Sequence, residues 1–96
     1  MSDIAITVTD NPELSRFEAR LDGELAGFLD YEASDGVLDL THTRVPSEFE
    51  GRGIGSRLIQ QSLDAIRSAG RGQVIATCPF VKSWIERHPD YAGLLA

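Results

Sequence analysis

At residue 54 the apolar residues of this chain change period, and a cluster of glycines marks the change, in the stretch EGRGIGSRL at 50–58. Upstream, apolar residues alternate with polar ones: Ile4, Ile6 and Val8, then Phe17, Ala19 and Leu21, then Leu38 and Leu40. Alternation puts each set on one face of a strand. Downstream, Ile54, Leu58, Ser62, Leu63, Ile66 and Ala69 recur at helical spacing, and Gly70 with Gly72 supplies a C-terminal stop. A chain that is strand-like before a glycine cluster and helical after it folds as α+β, with the helical stripe laid on the sheet.

Turn chemistry divides the first half further. Asp10-Asn11-Pro12 ends the first run, Asp22-Gly23 suits a tight hairpin because both residues tolerate positive φ, and Ser34-Asp35-Gly36 makes another turn. Four consecutive antiparallel strands result, the fourth running from Val37 to Val45 with Leu38, Leu40 and His42 on one face. After the helix, QVIATC is a short strand ended by Pro79. Val81, Trp84, Ile85 and His88 then form a second helical stripe before Pro89. The expected order is ββββαβα, and the unit of fourth strand, helix and fifth strand should cross over right-handedly.

Composition narrows the function. With 96 residues the chain is read as one domain spanning 1–96, and 42% hydrophobic against 25% charged residues is the balance of a packed globule. A formal charge of −6 opposes nonspecific binding to nucleic acid or anionic membranes, where Lys and Arg supply the affinity. The N-terminus MSDIAITVTD lacks a secretory pattern and no apolar run approaches a membrane span, so a cytoplasmic protein is expected. One cysteine, Cys78, precludes an internal disulfide, and two histidines give no zinc spacing, so no metal is expected.

A glycine-rich turn feeding a helix is a cradle for phosphate, because the first amides of a helix are unpaired and carry partial positive charge. Gly51, Gly53 and Gly55 would let an anion approach the backbone, with Arg52 and Arg57 adding charge; the alternative is that they only permit a tight strand-to-helix turn. A P-loop would need Lys and then Ser or Thr after the last glycine, but Ser56-Arg57 follows Gly55. A dinucleotide fingerprint would need glycine at 56 or 58, which hold Ser56 and Leu58.

The segment RVPSEFEGRGIGSRLIQQSL resembles the acetyl-CoA-binding segment of the GNAT superfamily of N-acetyltransferases, whose pattern is Arg/Gln-x-x-Gly-x-Gly/Ala between the fourth strand and the following helix. Gly53 and Gly55 take the small positions, and Glu50 stands at the leading one, a departure that sets a carboxylate beside the expected diphosphate. The block C-P-F-V-x-x-W-I-x-R-H-P-x-Y from Cys78 to Tyr91 resembles a small GNAT-like subfamily, and together the two segments cover Asp39 to Tyr91. The resemblance implies a reduced GNAT fold: a mostly antiparallel sheet whose fourth and fifth strands are parallel and splayed, with acetyl-CoA in the splay. It implies that backbone groups around Thr43, Arg44 and Val45 hold the pantetheine arm, and that the loop Gly51, Arg52, Gly53, Ile54, Gly55 and Ser56 holds the diphosphate, with Phe80 at the cofactor. Larger members place acceptor-binding helices between their first two strands, whereas only NPEL stands there in this chain. The implied acceptor groove is open, fit for the amine of a protein, peptide or small molecule.

Acetyl transfer to an amine needs a neutral nucleophile and a proton for the departing thiolate. His42, a few residues before the glycine loop, is the candidate base, since an imidazole suits proton removal from an ammonium; the alternative is a core histidine beside Leu38 and Leu40. Val45 lies on the opposite parity, and a bulge around Thr43-Arg44 would reconcile the two faces. Cys78 is the second catalytic candidate, as acetyl carrier or acid, against the alternative of a small buried packing residue. His88 reads as a helix-end residue, and Trp84 and Tyr91 as core or cofactor-edge packing. The leading expectation is an acetyl-CoA-dependent N-acetyltransferase, monomeric or weakly dimeric, acting by direct attack of the amine. Beside it stand a CoA-binding module with little transferase activity and an interaction domain with structural glycines.

Overall fold

A computed structural model describes residues 6–70 and 72–96, so Ile4 of the first apolar run lies outside the described residues. Five strands form one sheet: β1 (Ile6–Asn11), β2 (Arg16–Leu21), β3 (Glu24–Ser34), β4 (Val37–Arg44) and β5 (Gln73–Ala76), in the spatial order of the sequence. Helix α1 (Ile54–Ser68) joins β4 to β5, and α2 (Pro79–Arg87) follows. Short 3-10 turns at Ser47–Phe49 and Pro89–Leu94 add to the expected order. The hairpins turn at Asp22-Gly23 and Asp35-Gly36, all four residues at positive φ, as the turn chemistry requires.

The first four strands pair antiparallel, and β4 pairs parallel with β5 over Val37–Leu40 against Gln73–Ala76. One apolar cluster joins the sheet to both helices: Phe17, Ala19, Leu21, Leu29, Leu38 and Leu40 meet Ile54, Leu58, Ile59, Leu63 and Ile66 of α1 and Val81, Trp84 and Ile85 of α2. Burying each such Leu or Ile contributes roughly 1.5–3 kcal/mol before conformational entropy is subtracted. Among the described residues, no helix is long and apolar enough to cross a membrane.

The other face of the sheet is polar. There Glu18 is buried between the guanidinium groups of Arg16 at 2.9 Å and Arg20 at 3.1 Å, with Asn11 Nδ2 donating to it at 3.1 Å. Burial pushes the Glu18 carboxyl up, but the hydrogen bonds from Arg16, Asn11 and Arg20 outweigh it and hold it below the ordinary carboxylate value. Cross-strand partners put Asn11, Arg16, Asp30 and His42 in one row on this face.

His42 therefore departs from the expected face. Its partner is Asp30, while Leu40 pairs with Tyr31, so Thr41 is an extra residue in β4. This bulge reverses the parity of everything after it. Leu38 and Leu40 point into the core, His42 and Arg44 are exposed, and Thr43 and Val45 take the half-buried inward positions. The bulge expected at Thr43-Arg44 lies at Thr41.

Candidate active site

Register fixes where β4 and β5 part. Their pairing ends at Leu40 and Ala76, and the last tie is the amide of Cys78 donating to the Leu40 carbonyl at 2.9 Å. Past that point β4 runs on with β3 to Arg44, while the chain after β5 turns into α2 with Pro79 in its first turn. A cavity of about 490 Å³ lies beyond the fork. Thr43 and Val45 of the inward parity form one wall, and Gly51, Gly53, Ile54, Gly55 and Ser56 form another. Phe80, the last of the expected cofactor residues found there, closes the third. Arg44 and Arg52 are exposed and do not line the cavity; Arg52 instead stands 6.0 Å over the Phe49 ring.

The start of α1 opens on the cavity. Its N-cap is Gly53 at φ 73, no side chain caps it, and its first turn holds no acidic residue. The first intrahelical bond at this end runs from Arg57 N to Gly53 O at 3.1 Å. The preceding amides, Ile54, Gly55 and Ser56, thus sit at the cavity with the positive end of the helix dipole. Gly55 lets the Phe80 ring lie close: a Cβ there would stand 2.8 Å from Phe80 Cε2, and this exposed side chain would have to shift. Glu50, at the position where the family pattern has Arg or Gln, also lines the cavity.

Trp84, expected as core or cofactor-edge packing, lines the cavity, and so does Arg87. Phe80, Trp84 and Arg87 fall at i, i+4 and i+7 of α2, so one helical stripe carries all three. Trp84 belongs to this stripe and to the core stripe of Val81, Trp84 and Ile85 alike.

Cys78 and His42 flank the fork without lining the cavity. Cys78 is 5% exposed, and its Sγ lies 3.4 Å from the Thr43 hydroxyl, a bridge across the splay. Burial pushes the thiol up, but hydrogen bonds from the Thr43 hydroxyl and the Val81, Phe80 and Thr43 backbone outweigh it, and the thiol is held below its ordinary value. Thr43→Val, which keeps the shape and removes the hydroxyl, should move the thiol upward, as read by the ultraviolet absorbance of the thiolate against pH. Because the lowering favours thiolate, alkylation at neutral pH should slow in the same variant. An unmoved titration would mean that the hydroxyl does not act on the thiol. His42, one residue before Thr43, is exposed, and its side chain makes no hydrogen bond or ion pair with another described residue.

Parallel strands that part over an uncapped, glycine-led helix define an acyl-CoA N-acyltransferase fold. The family model for GCN5-related N-acetyl-transferase matches residues 16–94, and the chain belongs to that family of acetyltransferases. It is 28% identical over 86 residues to Protein NATD1 of Mus musculus, covering 88% of this chain and 77% of the mouse protein. It is likewise 28% identical over 87 residues to Protein NATD1 of Xenopus tropicalis, covering 88% and 79%. A GCN5-like protein of Staphylococcus aureus solved by NMR superposes with a TM-score of 0.67 at 22% identity, over 100% of this chain and 91% of that one. The crystal structure of ribosomal-protein-alanine N-acetyltransferase from Brucella melitensis gives 0.56 at 22% identity, over 84% of this chain and 60% of the enzyme. At such identities the superpositions speak for the fold.

Proposed function

We propose that this chain transfers the acetyl group of acetyl-CoA to an amine whose acceptor site is open to solvent. The observation that carries the reading is the uncapped start of α1 opening into the cavity at the fork of β4 and β5. The amides of Gly51 to Ser56 are suited to the diphosphate, with Arg52 adding charge outside, and the backbone at Thr43, Arg44 and Val45 to the pantetheine arm. Bound acetyl-CoA supplies an activated thioester carbonyl. His42, exposed on the polar face beside Thr43, takes the proton of an ammonium arriving from that side. Attack of that neutral amine on the carbonyl would break the carbon–sulfur bond and release the sulfur as thiolate, and the nitrogen would lose its second proton to solvent as the amide forms. A Cys78 thiol held below its ordinary value is a suitable acid for that thiolate, because the proton moves toward the weaker acid.

The turn between β1 and β2 supports an open acceptor side, since only residues 12–15 intervene and Leu14 at its tip is 56% exposed. Such a groove selects its amine less by enclosure than by contacts on the polar face.

Calorimetric titration of acetyl-CoA tests the site. The native protein should bind, and Gly53→Glu should bind about tenfold to a hundredfold more weakly, because it sets a carboxylate at the diphosphate cradle. Gly53→Asn, neutral and tolerant of positive φ, is the control for backbone strain. Equal binding by the glutamate variant would move the diphosphate elsewhere, and binding without thiol release for any amine would leave a CoA-binding module.

A further inference from the structure

Ser56 is the third residue of α1, lines the cavity and has one hydroxyl proton to give. The indole Nε1 of Trp84, from α2, lies 2.8 Å from its oxygen. An indole N–H can only donate, so Ser56 must accept here, and its own proton cannot be spent on Trp84. The indole is held in place from several sides. It is 2% exposed, it stacks on His88 with ring centroids 3.8 Å apart and 13° between planes, and Tyr91 meets its edge at 5.0 Å. His88 Nδ1 lies 2.7 Å from the Trp84 carbonyl, and since a carbonyl only accepts, that nitrogen carries a proton. The Tyr91 hydroxyl donates to Asp64 of α1 at 2.9 Å, tying the far side of the same clamp to the helix that carries Ser56.

We propose that Trp84 is a positioning residue: by occupying one lone pair of Ser56 it commits the Ser56 hydroxyl to donate into the cavity, to a phosphate oxygen of the CoA diphosphate. The inference rests on reading the cavity as the CoA site and adds a donor beyond the loop's amides. A free hydroxyl rotor spends part of its time donating to water or to the helix backbone. With the indole N–H against it, the hydroxyl proton is directed away from α2, and an anion in the cavity is the acceptor within its reach. Donation to an anion also strengthens the bond that Ser56 receives, because linked hydrogen bonds polarise one another.

The test is a double-mutant cycle read by calorimetry with CoA. Ser56→Ala should bind about tenfold to a hundredfold more weakly, the loss of a hydrogen bond to a charged group, and Ser56→Thr should restore most of it. Trp84→Phe keeps an aromatic ring without the donor and should bind several-fold more weakly. In the Ser56→Ala background, Trp84→Phe should add no further loss, since it acts only through that hydroxyl. A Trp84→Phe penalty of equal size in both backgrounds would overturn the proposal and reduce Trp84 to packing. A second reading does not require the tryptophan variant to fold. The sequence contains one tryptophan, so the native protein gives one indole N–H resonance. It should move downfield on saturation with CoA and stay in place in Ser56→Ala; a resonance unmoved in the saturated native protein would sink the proposal while leaving the CoA site intact. Failure of the native protein to bind CoA would overturn the site reading itself, and this inference with it.

Discussion

His42→Gln lowers kcat for acetyl transfer by about a hundredfold to ten-thousandfold, the usual share of a general base, and leaves CoA affinity unchanged. The separation of the two quantities follows from where β4 bulges. Thr41 turns His42 to the polar face while Thr43 and Val45 line the cavity, so the variant touches none of the walls that would hold the cofactor. The assay is release of free thiol with the best acceptor from a panel of alkylamines, lysine peptides and peptides with free N-termini. Exposure gives a further check: in His42→Gly, added imidazole has access to the vacated position and should restore part of the rate. A His42→Gln enzyme with native kcat would remove the residue from the mechanism and leave the amine to lose its proton to water.

Which of these features the sequence could disclose depended on how far apart in the chain their causes lie. The hairpin turns at Asp22-Gly23 and Asp35-Gly36 and the α1 stripe from Ile54 to Ile66 are local in origin, and the structure has them where spacing and turn chemistry put them. The family block from Cys78 to Tyr91 carried the fold class because its proline, aromatic and histidine spacing is also local. The face of His42 was not legible. It depends on Asp30 and Tyr31 of β3 pairing with residues on either side of Thr41, a register that alternation within β4 cannot report. Thr43 and Cys78 are 35 residues apart, and their contact exists only because the parallel pairing ends at Leu40 and Ala76. The Trp84–Ser56 bond spans 28 residues and joins two helices whose stripes, read singly, say only which side meets the core. Trp84 meets both halves of its expectation, core and cofactor-edge packing, since its ring is buried while its nitrogen donates to Ser56 at the cavity.

Gly72→Ala destabilises the fold by about 3 kcal/mol, which for a domain of this size lowers the melting temperature by on the order of 15 °C. Two costs add. Gly72 has φ 97, a conformation that costs an L-residue about 1–2 kcal/mol. A Cβ there would also collide with the carbonyl oxygen of Gly36, which is backbone in the turn between β3 and β4. That oxygen cannot swing aside as a side chain would, for it accepts the amide of Gln73 at 3.2 Å and its own residue is held at φ 79. Gly70→Ala is the control: φ is 62, but nothing lies within 4 Å of the added carbon, so only the conformational cost of about 1 kcal/mol remains. Equal melting temperatures for the two variants would show that the approach of residue 72 to the turn is not tight. The contact matters to the site as well as to stability. β5 begins at Gln73 against Val37, immediately after this crossing, and the register set there determines that pairing runs out at Ala76 and that the Cys78 amide reaches Leu40. Displacing the entry of β5 therefore displaces the fork, and Gly72→Ala protein that remains folded should bind CoA more weakly although residue 72 lies at the opposite end of β5 from the cavity.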